Sequence, residues 1–144
     1  MTTKTENILA AVKTALAGTT GVGTKIYRSR VVPLSRNETP ALVIEPINNT
    51  CEQNTGLSHL DWNLQLRVLI IVRGSTTVSP DQAGDPTLES LHSKMLVSST
   101  LGGLAIDVQP LGHDYVLQDG DLPTAVISTN WLIKYRTLYR DLTQ

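Results

Sequence analysis

The stretch "LDWNLQLRVLIIVRG", Leu60 to Gly74, constrains the fold more than any other part of the chain. Leu60, Trp62, Leu64, Leu66, Val68, Ile70 and Val72 alternate with Asp61, Asn63, Gln65, Arg67, Leu69, Ile71 and Arg73. Strict alternation marks a half-buried β-strand, because successive side chains point to opposite faces. Length makes this strand unusual. At ~3.4 Å per residue, about thirteen residues span roughly 45 Å. A compact domain of this size has a diameter of only ~37 Å. The strand must bend sharply or project from the body.

The 144 residues suggest one domain. Such a chain buries about two-thirds of its unfolded surface and needs no staples. Phe is absent and aromatics are 4%, so the core must come from Leu, Ile, Val and Ala. The net charge is −1, from 12 basic and 13 acidic residues, and gives no global field for nucleic acid or an anionic membrane. Cys51 is the only cysteine, which rules out an internal disulfide. "MTTKTENILAAVKTALAG" lacks the apolar core of a signal peptide, and no run approaches the ~18 apolar residues of a membrane span. The expectation is a cytoplasmic, soluble protein, in which the sequons at Asn37 and Asn48 are chance matches.

The first helix is marked by Thr3 to Glu6 as a capping box, the apolar stripe Ile8, Val12, Ala15 and Leu16, and Gly18 as the stop. "KIYRSR" and "ALVIEPI" read as short strands, with Pro46 at a strand end or a sheet edge. "NNTCEQNTGLS" reads as a polar loop before the long strand, and Gly74 to Pro86 as another. Asp85 and Pro86 are expected to open a second helix, with Leu88, Leu91, Met95 and Leu96 inward and an end near Gly102. "LAIDV" reads as a short strand with Leu104, Ile106 and Val108 on one face. "PLGHDYVLQDGDLP" reads as a third loop with at most a brief strand at Tyr115 to Leu117. "AVISTNWLIKYRTLY" is a second long strand. This order predicts an α+β fold: a mostly antiparallel sheet with two long strands as neighbours and two helices on one face. Trp62 and Trp131 are expected on the helix-covered side as core residues.

Chemical motifs are sparse. "GTTGVGTK" places Thr24 between the glycine and Lys25 and follows a helix, so it fails as a phosphate loop. His59, His92 and His113 have no zinc spacing; His59 and Asp61 share a strand face, a pattern that a solvated face explains as well. Asp114, Asp119 and Asp121 gather without the ladder of an EF-hand, and read as a polar turn or an acidic contact surface. No Gly-x-Ser-x-Gly elbow is present. No catalytic residue, metal or cofactor is assigned, and the expected class is not an enzyme. Arg28, Arg30 and Arg36 form a basic cluster suited to a solvated edge or to a partner's anions.

Within the long strand, Leu69 and Ile71 interrupt the polar face, so "VLIIV" is apolar on both sides. Such a strand end must be covered twice, by its own helices and by another layer or subunit. The succession "ILAAVKTALAG", "KIYRSR", "PALVIEPI", "LDWNLQLRVLIIVRG", "DPTLESLHSKML", "LAIDVQPL" and "AVISTNWLIKYRTLY" resembles the tail terminator proteins of tailed phages, the minor tail protein U group. The closing "WLIKYRTLYRD" is the most suggestive piece. The resemblance implies a small α+β subunit of a hexameric ring that caps the tail tube, ends its polymerisation and offers a head-joining surface. It implies as partners the tail tube protein, a head-completion protein and DNA passing through the lumen, with no membrane. The place implied is the host cytoplasm during assembly, then the virion tail; a prophage could also carry such a gene. On that reading the three loops face the lumen, tube or connector. Candidate subunit contacts are Arg28, Arg30, Arg36, Leu69, Ile71, Asp114, Asp119 and Asp121. Two alternatives stand: another head–tail joining protein, and a small-ligand-binding or enzymatic α+β domain.

Overall fold

The computed structural model describes residues 2–29, 40–53, 58–98, 100–118 and 123–144. Its elements run α1 (Lys4–Leu16), β1 (Ile26–Arg28), β2 (Ala41–Gln53), β3 (His59–Arg73), α2 (Pro80–Leu96), β4 (Asp107–Gln118) and β5 (Thr124–Leu138). The strands form one sheet in the order β1-β2-β3-β5-β4. Among the described residues, β1 and β2 pair parallel and every other neighbour is antiparallel. The fold is therefore α+β, as the element order predicts.

The two long strands are neighbours along their whole length, from His59 opposite Leu138 to Arg73 opposite Thr124. Each is 15 residues long. On β3 the even positions from Leu64 to Val72 are buried, and on β5 the odd positions from Ala125 to Thr137. Both sets lie on the face that receives the helices, and the sheet's core residues join Ile8, Leu9, Val12 and Leu16 of α1 and Leu91 and Met95 of α2 in a single cluster. Trp131 is fully buried, while Trp62 is half-buried against the same cluster, so both indoles lie on the helix side.

Helix α1 begins as expected at Thr3, whose side chain accepts from the Glu6 N–H at 3.2 Å. The reciprocal half of the capping box is replaced. The Glu6 carboxylate turns to Arg28 and takes both guanidinium nitrogens, the longer bond at 2.9 Å. Gly18 ends the helix at φ +81°, a conformation that other residues enter only with strain.

Three elements differ in extent from the sequence expectations. Strand β2 does not stop at Pro46 but runs on to Gln53 through a bulge between Pro46 and Asn48. Pro46 is tolerated because, among the described residues, β1 pairs only as far as Ile44, so Pro46 lies at the sheet edge. Helix α2 starts at Ser79 and Pro80, and Pro86 lies inside it. Pro80 takes the first-turn place expected of Pro86, and α2 seats Pro80, Gly84 and Thr87 as buried residues. Gly84 is required there: a Cβ would stand 2.9 Å from Ile127 Cδ1 and 3.0 Å from Val72 Cγ1. The helix ends at Leu96, ahead of Gly102. Strand β4 is the last correction. Ile106 precedes it and is exposed, and the expected loop from Pro110 is strand as far as Gln118.

The bulges of β2 and β4 fall on one row. Pro46 pairs with Leu66, Leu66 with Trp131, and Trp131 with Pro110, where the second bulge runs to Gly112. Bulges bend a strand and increase its twist. Both outer strands thus bend level with the buried Trp131. Beyond this row the exposed part of β2 extends one way and that of β4 the other.

Candidate interaction surface

The sheet face opposite the helices divides into two zones. Around and above the Trp131 row it is a set of cross-strand polar pairs. Arg67 Nη2 donates to Glu45 Oε2 at 2.6 Å, Arg136 Nε to Asp61 Oδ1 at 2.7 Å, and Asn48 Nδ2 to Gln65 Oε1 at 3.2 Å. The guanidinium hydrogen bond holds the Asp61 carboxyl below the usual carboxylate range; Arg28 does the same for Glu6. Opposite-charge pairs facing each other across strands stabilise a sheet modestly, and less where the partners are open to solvent.

Toward its other end this face is apolar over one row and mixed in the next, and the last row, Arg73, Thr124 and Gln118, is polar. Ala41, Ile71, Val126 and Val116 form one row, and Val43, Leu69, Ser128 and Asp114 the next. Burial falls across both rows. Ala41 and Val43 are buried, Leu69, Ile71 and Val126 are half-buried, and Val116 is exposed. Leu69 and Ile71 are therefore partly covered within the subunit, not left bare.

The β4 members of these rows belong to the sheet edge. From Gln109 to Gln118 every residue is exposed. Tyr115, Val116 and Leu117 keep 55%, 49% and 64% of their surface, and Leu111 at the bulge keeps 51%. Tyr115 and Leu117 share the helix face with Ile127 and Ala125, and Val116 shares the far face with Val126. The β4 strand thus presents apolar groups on both sides at an edge that no other described strand pairs. From sequence alone this segment reads as a loop because it has no alternation, with the Tyr-Val-Leu triplet as its one strand-like part.

The remaining contact candidates are scattered. Arg28 lies on β1, at the edge opposite β4, and is engaged with Glu6. Asp114 is on β4 and accepts from Asn130 Nδ2 at 3.1 Å. Arg30, Arg36, Asp119 and Asp121 lie outside the described residues. Of the expected loops, Asn48–Gln53 belongs to β2, Pro80–Asp85 to α2 and Leu111–Gln118 to β4.

Among the described residues the chemistry-bearing side chains do not converge. His59 bonds Ser58 and sits on β3; His92 lies 5.7 Å from the Trp131 ring on α2; His113 is on β4. Among the described residues no group of three His, Cys, Asp or Glu side chains could hold a metal. "GTTGVGTK" is a turn from α1 into β1, with Thr19 buried and bonded to the Leu16 carbonyl. No described helix is long and apolar enough to cross a membrane. A cleft of about 440 Å³ opens between α1 and the end of α2, lined by Ala11, Ala15, Lys94, Val97 and Leu101.

No known protein family matches the chain, and no curated protein does either.

Proposed function

We propose that this chain is a structural phage or prophage tail protein, a subunit of a ring that caps the tail tube, ends its polymerisation and forms the head-joining surface. The observation that carries the reading is the β4 edge. Ten consecutive exposed residues include Tyr115, Val116 and Leu117 in regular strand conformation. The apolar triplet lies at the end of this edge away from the Pro110 bulge, and an exposed apolar strand segment of that kind is at home where another chain covers it. The half-buried Leu69 and Ile71 extend the same apolar zone inward. The resemblance in element order to the minor tail protein U group supplies the tail setting, with the tube protein and a head-completion protein as partners and assembly in the host cytoplasm. The reading assigns no catalytic role and no cofactor.

Native mass spectrometry over a concentration series, with negative-stain images and co-sedimentation on tail tubes, tests the proposal. A six-subunit species with a central hole that pellets with tubes and limits their length is expected. Binding to emptied heads but not tubes would instead identify another head–tail joining protein. The cleft between α1 and α2 favours a second reading, a small-ligand domain. Stabilisation of the monomer by an apolar ligand, lost in Ala15→Trp, would support that one.

A further inference from the structure

We infer that two free copies of this chain pair edge to edge through β4, antiparallel and about a two-fold axis at Val116. The inference does not rest on the ring reading. It concerns the chain before a tail tube is present, and a ring contact at the same edge requires the pair to part.

Geometry narrows the register. Residues directly opposite in an antiparallel ladder point to the same face of the sheet. A two-fold axis normal to the sheet keeps every side chain on its own face and both helix layers on one side. Helix-side residues must therefore meet helix-side residues, which puts the axis at a residue that faces its own copy. Tyr115 and Leu117 lie on the helix side and Val116 on the far side. With the axis at Val116, that residue meets the second copy's Val116, and Tyr115 meets Leu117 on either side of it. Every member of the exposed triplet then has an apolar partner. An axis at Tyr115 would set Val116 against Asp114 and Leu117 against His113; an axis at Leu117 would set Val116 against Gln118.

The rows behind the edge fit the same register. On the far face Ala41, Ile71, Val126 and Val116 form one row, and the two-fold joins it to its own copy. One apolar row then crosses both sheets. On the helix face Tyr115 adjoins Ile127 and Leu117 adjoins Ala125, and both of these neighbours are fully buried. Pairing carries the core outward on both faces and takes the triplet out of water.

Charge does not oppose the contact. Between Asp107 and Gln118 there is no lysine or arginine of the kind that blocks edge pairing. Asp114 meets Gln118, whose amide can donate to the carboxylate. The two Asp114 carboxylates stand roughly 14 Å apart along the seam at ~3.4 Å per residue, beyond the Debye length at physiological salt. The seam ends at the bulge from Pro110 to Gly112, where β4 bends. So short a seam falls below the standard size of a stable interface, so the pair dissociates on dilution and the edge stays available to another partner.

The test is charge substitution at the axis, in the full chain, read by sedimentation velocity over a concentration series. The unchanged chain should form a dimer that dissociates on dilution. Val116→Lys and Val116→Glu each set like charges directly opposite, so each alone should weaken the dimer roughly tenfold or more. Mixed in equal amounts the two should pair again, because lysine then meets glutamate. That rescue requires position 116 to face itself. Val116 is exposed in one subunit, so both variants should keep the thermal midpoint measured where the chain is monomeric. A short bis-maleimide checks the register: with the native thiol removed by Cys51→Ser, Val116→Cys should link to itself and His113→Cys should not. A monomer at every concentration would overturn the inference. So would a multimer that survives Val116→Lys, a loss in both variants that mixing does not restore, or linking of His113→Cys in place of Val116→Cys. Co-sedimentation with tail tubes decides the ring reading separately.

Discussion

Strands β5 and β4 are paired neighbours, yet they live in different environments. On β5, side chains are buried at every second position; on β4, burial ends at Val108. The helices account for the difference. Helix α2 lies over β3 and β5, where Gly84 lets it approach Val72 and Ile127. It leaves most of β4 bare, so the apolar groups of β4 contribute little to the fold of one subunit. Burial at ~25 cal/mol per Å² rewards only surface removed from water, and Tyr115 and Leu117 remain in water. The comparison teaches that in this sheet apolar character and burial part company at one strand, which the proposed ring would use as a contact surface.

The comparison can be broken most forcefully at Trp131. Its indole is fully buried and donates to Thr129 Oγ1 at 2.9 Å, and that hydroxyl donates to the Val68 carbonyl at 2.9 Å. Trp131→Ala should cost ~3–5 kcal/mol in urea unfolding. A loss as small as that of a surface change would mean that β5 is not the centre of the core. Gly84→Leu comes next. It must push Val72 and Ile127 aside, and overpacking of this kind costs ~1–3 kcal/mol by the same measurement. Ile71→Lys stands between the two environments, since Ile71 is half-buried and a lysine can reach water from there. It should cost ~1–2 kcal/mol of monomer stability and disturb self-association more than folding; outright unfolding would place Ile71 in the core. Tyr115→Ser with Leu117→Ser should shift monomer stability by no more than ~0.5 kcal/mol per change, because neither side chain is buried.

The smallest effect concerns acid. Hydrogen bonds from Arg28 and Arg136 hold Glu6 and Asp61 below their usual values in the folded chain. The folded state therefore favours their ionised forms. That contribution is complete above the ordinary carboxylate range, about pH 4. It fades as pH falls through the lower folded values. Both pairs are solvent-accessible, so the change is small and salt should reduce it further. Asp61→Asn should flatten the acid limb of a thermal-midpoint profile slightly; an unchanged limb would show that the pair adds nothing.

The sequence by itself determined the first helix from Thr3 to Gly18, the alternation that makes β3 and β5 long neighbouring strands, and the α+β order. Each leaves a period because each has one face buried and one wet. Only the tertiary structure decided that Asn48–Gln53 and Leu111–Gln118 are strand. Their described side chains lie in water on both faces, so no alternation is written into them, and they are strand because a neighbour pairs their backbones. The same holds for α2. Pro86 looks like a helix start on local rules, but burial of Pro80 and the fit of Gly84 against the sheet set the start six residues earlier and carry the helix through Pro86. Local chemistry is legible where one residue's preference decides the outcome. It falls silent where pairing and packing with distant strands supply the larger free energy.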